Sequence, residues 1–78
     1  MAPEVLVARV LGLSRNAVTD AISNTTESSW DSLNHVTLVL ELESTYGVSL
    51  SAEDALAMTD VATIKRVLRT YGVEWDGA

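Results

Sequence analysis

The segment from Ser32 to Tyr46 constrains this chain more than any other. Asp31 stands just before it, a residue type favoured at helix N-caps, and Gly47 just after it, the residue that most readily ends a helix in the left-handed conformation. On a helical wheel of about 100° per residue, Leu38, Val39, Leu42 and Tyr46 gather on one side, while Leu33, Val36 and Leu40 gather nearly opposite. A surface helix normally carries one apolar stripe. Two stripes require either full burial or one face inward and one outward. Full burial is hard to arrange in 78 residues, so Leu33, Val36 and Leu40 are expected to face outward, toward a partner.

The rest of the chain reads as support for that helix. Pro3 is tolerated at a first helical position and Glu4 complements the positive end of the dipole, so a first helix is expected from about Pro3 to Gly12. Leu6, Val7, Val10 and Leu11 form its buried stripe. The Val5-Leu6-Val7 run also fits a strand, but no second strand-like segment exists to pair with it. Residues 13–31 are rich in Ser, Asn, Thr and Asp and predict a long loop, with a helical turn near residues 16–19. Leu13, Val18, Ile22 and Trp30 are its expected anchors to the core.

After Gly47, Ser51 and Asp54 have capping-box-like spacing for a short helix ending near Met58. Thr59 is expected to cap a last helix with Asp60 in its first turn. There Val61, Ile64, Val67, Leu68 and Tyr71 share one face and Lys65, Arg66 and Arg69 the other, with Arg66 and Arg69 read as solvated; Gly72 ends the helix, and the tail from Trp75 has no clear structure. The expected architecture is an all-α four-helix bundle, three main helices plus a short third one, with a long first loop. One domain spans residues 1–78.

Composition removes several classes of function. With no cysteine there is no disulfide, thiolate metal site or cysteine nucleophile, which fits a reducing cytoplasm. A net charge of -6 argues against nucleic acid as a partner and favours basic protein surfaces. No apolar run is long enough for a membrane span and no basic leader opens the chain, so a soluble monomer is expected. His35 lies three residues from Ser32, yet the sequence shows no obvious oxyanion hole or pocket beside the pair, and catalysis by them is not expected. The carboxylates have no metal-ligand spacing, and Ser28-Ser29-Trp30-Asp31 is only a weak phosphorylation signal.

What the residues do support is a serine modified by another enzyme. A phosphate ester on Ser32 would meet free amides and the positive end of a helix dipole, with Asp31 as the cap. A purely structural reading, in which Asp31 and Ser32 merely cap, stands beside it on even terms.

The sequence Asp31-Ser32-Leu33 is followed by Val36, Leu38-Val39-Leu40, Leu42-Glu43, Tyr46-Gly47-Val48 and Leu50, and then by Met58-Thr59-Asp60-Val61. This pattern, across residues 11–68, resembles the acyl carrier proteins, four-helix bundles in which the motif serine bears 4'-phosphopantetheine. The resemblance implies that Ser32, flanked by Asp31 and Leu33, is the attachment point, and that the chain shuttles acyl or aminoacyl thioesters without being an enzyme. It implies as partners a phosphopantetheinyl transferase, an acyl- or aminoacyl-loading enzyme, and a ketosynthase or other acyl-transferring enzyme. Leu33, Val36 and Leu40 match positions that meet those enzymes, with Glu43, Glu53 and Asp54 adding acidic contacts. Thr37 and Ser44 replace residues often acidic in fatty-acid carriers, and Ser29-Trp30 stands where Gly and a small residue are common. These departures favour a discrete polyketide- or peptide-type carrier of secondary metabolism over a fatty-acid one. The competing class is a helical interaction module that uses the same outward stripe with no prosthetic group.

Overall fold

Four helices in chain order build the protein, seen in a computed structural model that describes residues 1–76: α1 (Pro3–Leu11), α2 (Ser32–Tyr46), α3 (Ala52–Ala57) and α4 (Val61–Thr70). No strand occurs among the described residues. The all-α bundle expected from periodicity is the observed fold.

Helix ends follow local chemistry. Pro3 occupies the first turn of α1, and Gly12 (φ 72°) closes it by sending its amide to the Ala8 carbonyl. Gly47 (φ 66°) does the same for α2, bonding the Glu43 carbonyl. In that left-handed region a residue with a Cβ is strained by about 1 kcal/mol or more. Ser51 Oγ accepts the Asp54 amide at 3.0 Å and starts α3.

The core is contributed by α1, α2, α4 and the loops, with no buried residue from α3. Leu6, Val7 and Leu11 of α1 meet Leu38 and Leu42 of α2 and Val61, Ile64, Val67 and Leu68 of α4, with Val18, Trp30 and Met58 filling between them. α1 packs on both α2 and α4. Each fully buried Leu or Ile is worth roughly 2–3 kcal/mol of apolar transfer. α3 hangs instead on polar contacts. The Tyr71 hydroxyl accepts the Ser51 amide at 3.1 Å and donates to Asp54 Oδ2 at 2.7 Å, while His35 Nε2 meets the Ala55 carbonyl at 2.8 Å.

The long loop contains a 3-10 turn at Arg15–Ala17, one residue before the turn expected, and is pinned by Val18 and Trp30, with Leu13 and Ile22 half-buried. Near residue 23 it bridges the start of α4: Asn24 N–H bonds the Thr59 carbonyl and Val61 N–H the Ile22 carbonyl. This bridge corrects the expected start of α4. It holds Asp60 extended (φ −148°, ψ 161°), so Asp60, not Thr59, is the cap residue, and no side chain caps the helix.

Lys65, on the polar face of α4, is only 15% exposed in its side chain, with Nζ 2.9 Å from Glu4 Oε2 and 2.8 Å from Asp20 Oδ1. A single charge thus ties α1, the loop and α4 together. Burial alone would raise the Glu4 carboxyl, but the hydrogen bond from Lys65, Glu4's own amide and the nearby positive charges of Lys65 and Arg15 outweigh it, and its pKa is lowered. Hydrogen bonds to Asp20 and then to Glu4 raise that of Lys65. Glu4 Oε1 is buried without a partner, so Lys65 is the carboxylate's main compensation. Arg69 also has a task, lying over the Trp75 ring at 4.9 Å from its centroid. That contact orders the beginning of the tail; residues 77–78 lie outside the described residues.

Candidate functional site around Ser32

Ser32 opens α2 and is exposed. Asp31, extended at φ −92° and ψ −178°, turns its carboxylate onto the helix end, where Oδ1 accepts the Asn34 amide at 2.8 Å. The Asn34 side chain reaches back to the Ser29 carbonyl at 2.7 Å and ties the loop to the first turn. Trp30, 3% exposed, anchors the same loop in the core. Among the described residues the Ser32 hydroxyl and the amides of Ser32 and Leu33 take no hydrogen bond, leaving one hydroxyl and two donors together at a positive helix end.

His35 does not pair with Ser32. Its Nδ1 lies 3.1 Å from Trp30 Nε1 and its Nε2 2.8 Å from the Ala55 carbonyl, so both ring nitrogens are engaged. No nitrogen is left to accept the serine proton.

Beside Ser32 lies an open depression of about 500 Å³ lined by Asn24, Trp30, Asp31, His35, Val36, Leu56 and Thr59. Through His35, Val36 and Leu56 it continues into an apolar groove of about 330 Å³ between α2 and α3, whose other walls are Val39, Leu40, Ala52 and Ala55. A separate depression lined by Arg69, Gly72, Val73, Glu74 and Trp75 shares no residue with this site.

Each expected site residue can now be located. Leu33 (74% exposed), Val36 (57%) and Leu40 (59%) are outward, while Leu38 and Leu42 are buried and Val39 and Tyr46 half-buried. The two-faced helix stands as read. The acidic residues divide. Glu53 is exposed, whereas Glu43 Oε2 accepts the Leu50 amide at 2.8 Å and Asp54 takes the Tyr71 hydroxyl. Two of the three carboxylates thus also shape the α2–α3 connection and α3.

Sequence reasoning missed Leu56, the most exposed large apolar side chain at 75%. It lines both depressions and extends the outward stripe of α2 across α3. One signal was present: a lone Leu in an otherwise Ala- and acid-rich segment too short to build its own core contact. Asn24 and Thr59 were missed too, because only the loop–α4 bridge brings them to Ser32.

The fold and site together define a class: a small helical bundle that displays an unengaged serine at a helix N-terminus, flanked by an apolar patch and groove. No protein-family model matches the chain, and no curated protein was found to match it. No helix among the described residues is long and apolar enough to cross a membrane.

Proposed function

We propose that the protein is an acyl carrier whose Ser32 bears 4'-phosphopantetheine. The observation that carries this reading is the exposed Ser32 hydroxyl at the first turn of a rigidly capped helix, beside two unengaged amides. The residues present suit the group. A phosphodiester on Oγ meets amide donors and the helix dipole; the adjoining depression is uncharged apart from Asp31, whose Oδ1 accepts the Asn34 amide.

In loading, a phosphopantetheinyl transferase joins Ser32 Oγ to the phosphorus of coenzyme A's pantetheine arm. The pyrophosphate bond breaks, the adenosine bisphosphate leaves, and the serine proton passes to the transferase's base. The bound arm supplies a thiol that holds acyl or aminoacyl groups as thioesters, chemistry a chain without cysteine cannot supply itself. Asp31 and Asn34 fix the turn that presents the hydroxyl. Leu33, Val36 and Leu40, with Leu56, offer the apolar contact for partner enzymes, and Glu53 an exposed charge to steer them. The partners in this reading are a loading enzyme and a ketosynthase or other acyl-transferring enzyme, in a secondary-metabolite pathway of polyketide or peptide type or in fatty-acid synthesis.

The second reading, an interaction module without a prosthetic group, is favoured by the same apolar patch alone. Incubation with coenzyme A, magnesium and a broad-specificity transferase, read by intact mass, separates the two. The carrier gains one phosphopantetheine and its Ser32→Ala variant gains none; folded protein unchanged with several transferases is the interaction module.

A further inference from the structure

We infer that His35 is a proton-sensitive latch between α2 and the loop that leads to Ser32: neutral, it holds the Trp30 indole, and protonated, it releases it. The inference is independent of what Ser32 carries. It rests on the donor inventory of one three-residue contact. An indole Nε1–H only donates, so at 3.1 Å His35 Nδ1 must be the acceptor and carry no proton. The Ala55 carbonyl only accepts, so at 2.8 Å His35 Nε2 must carry the proton and donate. Neither end of the ring can be exchanged: the neighbours dictate one neutral tautomer.

Protonation adds a hydrogen to Nδ1, from solvent, and sets two donors face to face. Nδ1 is the atom that meets the indole nitrogen at 3.1 Å, so the new N–H points toward the indole N–H. The Ala55 bond survives, because Nε2 still donates. The Trp30 bond does not. Trp30 is 3% exposed, so its freed donor loses a hydrogen bond at a largely buried position. Strain is therefore delivered to the residue two positions before Ser32, and the far end of α2 is untouched.

The charged groups on the segments that hold the ring leave this logic intact. Asp31, in the turn before α2, accepts the Asn34 amide; Glu27, in the loop, takes the Ser29 hydroxyl; Asp54, in α3, takes the Tyr71 hydroxyl; and Glu53 is exposed. The remaining residues that line the depression with His35, namely Asn24, Ser32, Val36, Leu56 and Thr59, carry no charge. Among the described residues no other group supplies an acceptor to the Trp30 indole.

The test uses the full-length, isotope-labelled chain in a descending pH titration that starts above neutral, where an imidazole is uncharged. Long-range nitrogen–proton correlations are expected to show the Nε2–H tautomer at the alkaline end. As the ring takes up a proton, the Trp30 indole cross-peak should move with the same midpoint. Its exchange protection, corrected for the intrinsic pH dependence of exchange, should fall about tenfold, the equivalent of one neutral hydrogen bond. The Trp75 indole, assigned through Trp75→Phe, should show no such step, and in His35→Phe the Trp30 step should vanish. An Nδ1–H tautomer at the alkaline end, or a ring that titrates while the Trp30 indole stays still, overturns the inference on wild-type protein alone, whatever the variant's stability.

Discussion

Replacing Lys65 by Met keeps the length of the side chain and removes its charge. Glu4 then faces an apolar tip, with one oxygen already lacking a partner and the side chain only 6% exposed. An unpaired buried charge costs about 3–5 kcal/mol, but the carboxyl can escape by taking up a proton. From its ordinary value of 4.5, doing so at pH 7 costs 2.5 pH units at 1.36 kcal/mol each, or about 3.4 kcal/mol. That is the ceiling for the charge itself at pH 7, and at pH 5 it falls to about 0.7 kcal/mol. Lys65→Met is thus expected to lower stability by about 3 kcal/mol at pH 7, out of roughly 4–12 kcal/mol for a domain of this size, and by far less at pH 5. Urea unfolding followed by far-UV circular dichroism at the two pH values measures both numbers. The double variant Glu4→Gln, Lys65→Met should recover most of the loss. A loss at pH 7 below about 1 kcal/mol, or an equal loss at pH 5, would refute the assignment of Lys65 as the compensation for a buried carboxylate.

Three more outcomes follow from the same contacts. In wild-type protein, the lowered Glu4 pKa makes its contribution present above 4.5 and lost as pH falls below that; the raised Lys65 pKa makes its share present below 10.5 and lost above it. Tyr46, raised from 10.0 by burial and then by Glu4's negative charge, adds to the alkaline loss, so melting temperature against pH should plateau between these edges. Leu42→Asp places a charge at a site with no exposure and should unfold the domain, whereas Val36→Asp should stay within about 0.5 kcal/mol of wild type yet slow partner-enzyme transfer; similar loss of helicity in both would sink the two-face reading. Tyr71→Phe removes the contacts to Ser51 and Asp54 from a helix with no buried residue, so exchange protection across Ala52–Ala57 should drop about tenfold while the melting temperature barely moves.

Local chemistry made much of this fold legible. α2 was readable to its ends because Asp31 and Gly47 act on their own helix, and its two faces because periodicity is a property of the segment. α4 began one residue late for a reason no local pattern holds: a backbone bridge from residues 22–24 keeps Asp60 extended. The partners of Lys65 were not legible because the wheel shows which way a side chain leaves its helix, not that Glu4 and Asp20 lie beside it. At the site, Ser32, Asp31 and the outward stripe were legible, while Leu56, Asn24 and Thr59 join it only through tertiary packing. His35 was seen near Ser32 in sequence; its real partners lie five and twenty residues away.

The central claim is that Ser32 is an attachment point, and one measurement meets it directly. Wild-type and Ser32→Ala proteins, both shown to be folded by circular dichroism, are incubated with coenzyme A, magnesium and a panel of phosphopantetheinyl transferases, then fragmented in the mass spectrometer. The account expects a single phosphopantetheine on wild-type protein, localised to Ser32, and none on the variant. Wild-type protein left unmodified by every transferase, or a modification that persists in Ser32→Ala, would contradict it.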